Sequence, residues 1–561
     1  MINQHSLTKP FWSRPAVLWL LVILVSIIWF AALDTRTLVP TDEGRYAEMA
    51  REMAATGDWV TTRLNGIKYF EKPPLQIWMT ALTFKLFGLG EWQARLWTGF
   101  CGFAGILFTG IAAARVAGRD VGVMAASILA SCAFWAVGGH VSSLDMSLAG
   151  AMTLALCGLL LAQTTPHLRS RAAWMLACWA GMGIAVMSKG LVGIALPGLV
   201  LIAYTLVARD WTIWKRLHLL SGLAVFCLIT VPWFVLVSIR NPEFPHFFFI
   251  HEHFQRFTSD IHRREGPWHY FMPFLLIGLL PWVSVFMQSM LAATRPSEPS
   301  AGSSTFNVRK LLLVWSITIF VFFSSSGSKL PAYIMPVFPA LAMLIALYLR
   351  QATLGAWRLL SGSSLFLSVA MLALVPQLTK FAGDPSQLAN YQSSKPWLAA
   401  AGLTLMCGAL PVLWWCMRKR TQIALPATLA LASASLLAIL LLMLGAESHG
   451  RVRSGLPLVP TIASHLTPTT PLYAVGLYDQ TLPFYLRRTM TLVLHPDEME
   501  FGLRQEPQLW LPTLHDFVQP WQSGPKAVAV MRVDIFEGLR DYGVPMREVA
   551  RKGRQVVVIN R

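Results

Sequence analysis

Long apolar runs separated by short polar turns dominate the chain. Several runs reach 18 or more residues, the length that a helix needs to cross about 30 Å of hydrocarbon. The ten-residue alternation that is typical of membrane β-barrels is absent from the sequence. We predict thirteen membrane-spanning helices, at residues 16–33, 95–117, 121–138, 143–163, 172–187, 190–208, 218–239, 270–292, 310–326, 331–349, 359–376, 396–416 and 422–446.

Two shorter features accompany the predicted spans. The apolar stretch at 74–87 is too short to cross a membrane, so we predict a helix lying in the interface. The first span has bulky Trp and Phe residues near its end and no convincing small-residue cleavage site. We therefore expect it to remain as a membrane anchor.

The distribution of charge predicts the orientation. Only 13% of the residues are charged, against about 25% in ordinary soluble proteins, and the net charge is +18. With the N-terminus inside, the inner segments hold seventeen Lys and Arg residues and three acids. The positive-inside rule then predicts a cytoplasmic N-terminus. The basic excess follows from topology and indicates contact with anionic membrane lipids, so nucleic-acid binding is not expected.

This orientation places three long segments on the outer face. They are loops 34–94 and 240–269 and the C-terminal region 447–561. In the C-terminal region the apolar runs shrink to strand length, at 471–475, 489–494, 527–531 and 555–559, with helical stretches between them. We predict an all-α polytopic membrane domain over 1–446, followed by a small soluble α/β domain. The α/β domain has no nucleotide-binding motif, which favours a scaffolding or substrate-guiding role.

The first outer loop contains Asp42-Glu43-Gly44-Arg45-Tyr46, about eight residues beyond the end of the first span. Residues 42–56 lack proline and end at Gly57, which predicts an amphipathic surface helix. Asp42 could simply cap this helix. However, Arg45 and Tyr46 follow at the spacing that places them on the same helix face. The motif is therefore also a candidate for chemistry.

Further polar residues are predicted at the outer surface. Lys72 lies in Phe70-Glu71-Lys72-Pro73-Pro74, where a lysine could also simply extend its ammonium group from the membrane edge into water. In the second outer loop, Arg256 could bind a phosphate with its guanidinium fork. Glu71 and His253 could supply two ligands to a divalent metal such as zinc. The alternative for that loop is an amphipathic segment with Glu252 and Arg256 as an i,i+4 pair.

These motifs resemble the membrane glycosyltransferases of the GT-C architecture, and most closely the bacterial lipid A aminoarabinose transferases. Asp42–Tyr46 and Phe70–Pro74 are the specific parts of the resemblance, and Asp145, Glu252, His253 and Arg256 match less distinctive positions. The resemblance implies an undecaprenyl phosphate-linked sugar donor, a lipid A acceptor, inversion at the sugar carbon and a periplasmic active site in the bacterial inner membrane. We expect a monomer.

The resemblance also assigns roles to residues. Asp42 and Asp145 are expected to be catalytic, and the expected substrate-binding residues are Arg45, Tyr46, Tyr69, Lys72, Lys189, Arg256 and Tyr333. Asp42 acts as a base if the acceptor is a hydroxyl, or positions the sugar if the acceptor is a phosphate. A metal, if one is used, would lie at the carrier phosphate.

Two other functions remain open at this point. A polyprenyl-phosphate-mannose-dependent protein O-mannosyltransferase would share the fold and would need Asp42 as a base. A lipid transporter or flippase would favour ionisable residues inside the spans or inverted repeats, and the sequence displays neither.

Overall fold

The computed structural model describes residues 15–255, 266–295, 306–420, 422–494 and 497–561. The chain divides into two compact units. The first, called here the helical unit, comprises Met1–Thr35, Thr98–Thr230 and Arg256–Gly445. The second, called here the sheet unit, comprises Arg36–Trp97, Val231–Gln255 and Ala446–Arg561. Two loops predicted to lie outside thus group with the C-terminal region.

Apolar α-helices account for most of the chain up to Gly445. In chain order the helices are α1 Pro15–Ala31, α2 Asp42–Thr56, α3 Leu75–Phe87, α4 Glu91–Ala117, α5 Arg119–Ser131, α6 Ala133–Gly138, α7 Leu144–Thr164, α8 Leu168–Lys189, α9 Val192–Ala208, α10 Leu219–Arg240, α11 Phe271–Gly278, α12 Phe286–Thr294, α13 Val308–Ser325, α14 Phe338–Leu349, α15 Leu354–Leu374, α16 Leu388–Met417 and α17 Ala424–Gly445. A π-helix spans His246–Gln255 and a 3-10 segment, Pro331–Val337, precedes α14.

Nine helices in the described residues are long and apolar enough to cross a membrane, or ten with one bent pair. That pair, Phe271–Gly278 and Trp282–Thr294, is bent by 106°. The predicted span at 121–138 is broken at Cys132, where the backbone turns extended between α5 and α6. Helices α1 and α9 are apolar but shorter than these nine helices. The chain is therefore a polytopic helical membrane protein, and the number thirteen remains a prediction.

Within the helical unit, α7 is the most enclosed span, with 94% of its apolar window buried. Close backbone approach makes this possible. A Cβ on Gly150 of α7 would lie 2.6 Å from the carbonyl oxygen of Cys101 in α4, so a larger residue there would force the two helices apart. In α1, Trp29 donates from Nε1 to the carbonyl of Gly99 at 2.9 Å and is fully buried. Small residues and buried indoles thus fix the spans against one another.

The sheet unit contains the predicted α/β domain. A small hairpin pairs β1 (Arg63–Leu64) with β2 (Ile67–Lys68). The main sheet has the order β5-β4-β3-β6-β8-β7. Its strands are β3 Leu472–Val475, β4 Thr491–Val493, β5 Trp510–Leu511, β6 Val528–Arg532, β7 Arg547–Lys552 and β8 Gln555–Ile559. Strands β5, β4, β3 and β6 pair in parallel, whereas β8 pairs antiparallel with β6 and β7 pairs antiparallel with β8.

Short helices connect and cover the strands of the main sheet. They are α18 Glu447–Arg453, α19 Val459–His465, α20 Leu482–Leu486, α21 Glu500–Gln505, α22 Leu514–Ser523 and α23 Val533–Asp541. Phe517 and Trp521 of α22 are fully buried against the central strands. The C-terminal region therefore has a core of its own, and the predicted fold class, a polytopic helical protein with a small α/β domain, is confirmed.

A buried ion pair fixes the start of α2 in the sheet unit. Arg95 and Glu43 are fully enclosed, and their side chains meet at 2.7 Å and 2.9 Å in a two-pronged contact. Arg95 also donates to the carbonyl oxygens of Arg36 and Thr37, and the Val39 amide donates to Glu43. Because each charge is fully hydrogen-bonded, the pair is tolerated in the interior, whereas one unpaired partner would be costly.

We predict that Arg95→Leu lowers the free energy of unfolding by about 3–5 kcal/mol, because it leaves Glu43 buried without its cation. Thermal unfolding of the detergent-purified protein measures the effect. Arg504→Leu is the matched control, since Arg504 and Glu500 form an exposed i,i+4 pair worth about 0–1 kcal/mol. Equal shifts for the two variants would contradict the assigned importance of the buried pair.

Candidate functional site

Helix α2 presents the Asp42–Tyr46 motif at its first turn. Thr41 occupies the N-cap position without a side-chain cap, and Asp42 is the first helical residue. Gly57 ends the helix in the left-handed conformation, as its position in the sequence predicted. The surface character predicted for this helix is wrong, because nine of its fifteen residues are buried, including Glu43, Glu48 and Glu52. The helix is a packed element with one polar end.

Arg45 is the centre of the contacts at that end. One nitrogen lies 3.4 Å from Oδ1 of Asp42. Its Nε donates to Glu498 at 3.0 Å, and a second nitrogen contacts the other oxygen of the same carboxylate. The Arg45 side chain is 11% exposed, whereas that of Asp42 is 45% exposed. The guanidinium is thus clamped from the C-terminal region while Asp42 remains open to a ligand.

Two buried tyrosines flank the same guanidinium. The centre of the Arg45 guanidinium lies 5.9 Å from the ring centroids of both Tyr46 and Tyr69. Burial raises the pKa of both phenols well above the usual range, so both hydroxyls stay protonated. The Tyr69 hydroxyl is buried and has no hydrogen-bond partner within the described residues. It is therefore available to donate to a ligand.

Gly44 allows the C-terminal region to approach the motif. A Cβ at this position would lie 2.8 Å from the carbonyl carbon of Gln480 and from the Thr481 amide nitrogen. Any larger residue would displace the segment that precedes Glu498 from the helix. The glycine of the motif is thus explained by packing within the sheet unit.

Glu71 and Lys72 lie just before α3 in the same unit, and both are half-buried. The Lys72 ammonium donates to the carbonyl oxygen of Glu71 at 2.8 Å. The helix predicted at 74–87 is present as α3, Leu75–Phe87. This contact holds the Lys72 ammonium against its own segment, directly before α3.

A second group of predicted site residues lies in the helical unit. Asp145 is in the first turn of α7 and Lys189 is the last residue of α8. Their side chains form a close ion pair, and the Lys189 ammonium also lies 4.2 Å from the centroid of the Tyr333 ring. Three residues that are far apart in sequence are therefore brought together at helix ends.

Lys329 is a buried cation just before the 3-10 segment Pro331–Val337, which contains Tyr333. Its ammonium donates to the carbonyl oxygens of Gly266 and Ser326 at 2.9 Å and 2.8 Å. Backbone carbonyl oxygens thus accept hydrogen bonds from this ammonium group. Through them Lys329 connects the segment before α11 with the segment after α13.

Part of the prediction cannot be placed. Arg256 lies outside the described residues, and for His253 the backbone belongs to the π-helix while its side chain is not described. Among the described side chains, no group of three or more His, Cys, Asp or Glu residues is arranged to hold a metal. The zinc ligands Glu71 and His253 therefore remain a prediction.

Sequence reasoning missed Glu498 and Arg95. Glu498 is 453 positions from its partner Arg45 and follows a strand of the C-terminal domain, so no spacing links them. Arg95 stands at the edge of a predicted span, where a cation is ordinary. The only signal for Arg95 was that an arginine begins a span on the outer side, against the positive-inside trend.

Comparisons with known proteins bear on the whole chain. A family model described as the aminoarabinose transferase C-terminal domain matches residues 458–560, and the dolichyl-phosphate-mannose-protein mannosyltransferase model matches residues 16–248. The crystal structure of ArnT from Cupriavidus metallidurans bound to undecaprenyl phosphate shares 42% sequence identity and a TM-score of 0.90. The match covers 98% of this chain and 99% of that chain.

Curated relatives agree with this match. The undecaprenyl phosphate-alpha-4-amino-4-deoxy-L-arabinose arabinosyl transferase 2 of Proteus mirabilis is 31% identical over 408 residues, 69% of each chain. The chain belongs to the aminoarabinose transferase family. The protein of the same name from Edwardsiella ictaluri is 33% identical over 344 residues, and the chain spans 59% of its length. The predicted family is confirmed, and its members are named as glycosyltransferases.

We predict that Arg45 and Glu498 are energetically coupled. A double-mutant cycle with Arg45→Leu and Glu498→Leu should give a coupling energy of about 1–3 kcal/mol, because each single variant removes the two-pronged contact between two shielded charges. Thermal unfolding of the purified protein supplies the four stabilities. The exposed pair Arg532 and Asp534 is the control, with a coupling below about 1 kcal/mol. Additive losses at Arg45 and Glu498 would refute the clamp.

Proposed function

We propose that this protein transfers 4-amino-4-deoxy-L-arabinose from undecaprenyl phosphate to a phosphate group of lipid A, with inversion at the sugar carbon. The observation that carries this proposal is the match over nearly the whole chain, at 42% identity, to a transferase structure bound to undecaprenyl phosphate. The protein would act as a monomer in the inner membrane. Its donor is delivered by the bilayer, so no nucleotide-sugar site is required.

The proposed orientation puts the N-terminus in the cytoplasm and the sheet unit in the periplasm. Its support is the charge distribution of the sequence, in which seventeen Lys and Arg residues fall on the assigned inner segments. The Asp42–Tyr46 motif and Lys72 then lie on the periplasmic side. This is the side on which lipid A modification would meet a carrier-linked sugar.

The chemistry exchanges one bond at the anomeric carbon. The bond from this carbon to the carrier phosphate oxygen breaks, and undecaprenyl phosphate leaves with the electron pair. A bond to an acceptor oxygen forms on the opposite face through an oxocarbenium-like state. Lys72 would stabilise the charge that grows on the leaving phosphate, since its ammonium is half-buried and is held by the Glu71 carbonyl.

Asp42 would act on the sugar. It is the more exposed partner of the Arg45 contact, so it can reach a ligand while Arg45 stays clamped by Glu498. With a phosphate acceptor the nucleophile is already anionic and no proton must be removed. Asp42 would then hold the sugar amine and stabilise positive charge on the ring. The buried hydroxyl of Tyr69 would donate a hydrogen bond to the same ligand.

The group in the helical unit has a separate role. The Lys189 ammonium, oriented by Asp145 and by the face of Tyr333, would bind an anionic oxygen of a lipid substrate. Asp145 contacts the Lys189 ammonium and holds it in position. Asp145 would therefore affect the transfer reaction through Lys189.

The test of function uses purified protein with undecaprenyl-linked aminoarabinose and lipid A. The expected product is lipid A heavier by one aminopentose, measured by mass spectrometry. The match of residues 16–248 to a protein mannosyltransferase model defines the competing outcome. Transfer of mannose from a polyprenyl phosphate to a Ser/Thr peptide, without lipid A modification, would replace the proposal.

We predict that Asp42→Asn lowers transfer by about 10²- to 10⁴-fold, whether the carboxylate acts as a base or as an electrostatic anchor. The variant should still insert in the membrane and bind undecaprenyl phosphate, as measured by native mass spectrometry. Asp34→Asn is the matched control, because Asp34 is exposed at the end of the first span region and should leave transfer unchanged. Full activity of Asp42→Asn would refute the assignment.

A further inference from the structure

Two buried carboxyl groups lie in the middle of α2, apart from the Asp42–Tyr46 motif at its first turn. Glu48 and Glu52 stand four residues apart, so they share one face of the helix. Glu48 is fully enclosed and Glu52 is 6% exposed. No step of the proposed transfer uses either residue. Two enclosed acids side by side therefore need an explanation of their own.

Arg51 is the cation that contacts this pair within the described residues. Its Nε and one terminal nitrogen donate to the two oxygens of Glu48 at 2.6 Å and 2.7 Å. The charge of Arg51 is thus matched by Glu48. Glu52 accepts one hydrogen bond at Oε2, from the Gly66 amide at 2.8 Å. Its Oε1 is buried and has no hydrogen-bond partner in the described part of the chain.

The described elements packed against α2 bring no second cation to the pair. Tyr478 faces both carboxyl groups, and burial raises its pKa well above the usual range, so its hydroxyl stays protonated and uncharged. Arg63 of β1 is bound by Glu506 at 2.9 Å, and Lys85 of α3 lies 5.3 Å from the centroid of a Trp59 ring. Other nearby titratable groups have partners of their own, namely Tyr485 with Glu91, Asp479 with Thr481, Glu498 with Arg45 and Lys68 with Glu243.

The balance of charge in this cluster requires one proton. With both acids ionised, two negative charges would face one positive charge in a region shielded from water, which is costly. A proton removes the excess charge and lets one carboxyl group donate to the other, which gives Glu52 Oε1 a partner. Burial accordingly raises the pKa of both groups, that of Glu48 to about 8, and a hydrogen bond between the two side chains contributes to both values. Because the two groups are coupled, the proton belongs to the pair.

We propose that Glu48 and Glu52 hold one proton between them in the folded protein at neutral pH, and that its loss in mild alkali destabilises the packing of α2. The pair is a pH-sensitive contact in the helix that carries the Asp42–Tyr46 motif, and it is independent of the proposed transfer reaction. An unfolded glutamate has a pKa of about 4.3. The folded protein therefore binds one proton more than the unfolded chain between about pH 5 and pH 8, so stability falls as the pH rises through this window.

The test compares wild type with Glu52→Gln in full-length protein purified in detergent. The Gln amide keeps an acceptor for Gly66 and supplies a permanent donor to Glu48. Denaturant unfolding followed by circular dichroism gives the folding equilibrium constant at each pH. Relative to that of Glu52→Gln, the constant of the wild type should fall by up to about tenfold per pH unit across the window. Glu48→Gln should also flatten the pH dependence, but with lower stability at every pH, because Arg51 loses its ionised partner.

An exposed acid supplies the matched control, and infrared spectra report the proton itself. Glu500→Gln removes a carboxylate that pairs with Arg504 at the surface, and it should keep the pH dependence of the wild type. The infrared difference between wild type and Glu52→Gln should show the carbonyl stretch of a protonated carboxyl group at neutral pH and its loss in mild alkali. This measurement needs no unfolding, so it holds even if a variant unfolds irreversibly.

Three results would overturn the shared proton. One is a wild-type pH profile that runs parallel to that of Glu52→Gln. Another is the absence of the carbonyl band at neutral pH, which would show that both carboxyl groups are ionised. The third is a stability that follows the Na⁺ concentration at fixed pH, which would assign the missing positive charge to a metal ion. None of these measurements involves sugar transfer, so a failure of the proposed function would leave them unchanged.

Discussion

The buried ion pair between Glu43 and Arg95 is the constraint on which the sheet unit's candidate site depends. Both charges are removed from water, so each must keep its partner or the unit loses several kcal/mol. The pair joins the first turn of α2 to the start of α4 and to the chain at 36–39. Asp42 precedes Glu43 directly and Arg45 follows two residues later. The positions of Asp42 and Arg45 therefore depend on this buried pair.

The C-terminal region completes this arrangement. Glu498 holds Arg45, and the backbone at Gln480 and Thr481 packs on Gly44 so closely that a Cβ would clash. Burial of the two tyrosines then encloses the guanidinium from the sides. A region that by sequence alone looked like a scaffold or a guide for substrate thus forms one wall of the motif. Its removal would leave Arg45 without its main partner.

Local sequence patterns predicted elements well where the cause was local. The bounds of α2 follow from a proline-free stretch and from Gly57, whose left-handed conformation ends the helix. Four of the six strands in the main sheet were predicted, because their apolar runs are buried. The edge strands β5 and β7 were missed, since one has two residues and the other reads Arg-Glu-Val-Ala-Arg-Lys. Edge strands with charged residues carry no apolar signal.

Contacts between residues that are far apart in the chain could not be predicted from the sequence, because they too carry no local signal. Nothing in the spacing of Asp145, Lys189 and Tyr333 requires contact, and only the packing of helix ends in the helical unit brings them together. The surface position expected for the helix at 42–56 was wrong, as its three glutamates, Glu43, Glu48 and Glu52, show most clearly. They are buried, and the acid residues Glu43 and Glu48 are held by arginines at 2.6–2.9 Å.

The contact between Asp42 and Arg45 bears on the role of Asp42. Arg45 shares its charge between Asp42 and Glu498, and the 3.4 Å contact to Asp42 is the looser of the two. Asp42 is therefore held loosely by Arg45 and is partly open to a ligand. In the proposed reaction Asp42 would stabilise a positively charged sugar and its oxocarbenium-like state, and an acceptor phosphate would have no proton for it to remove.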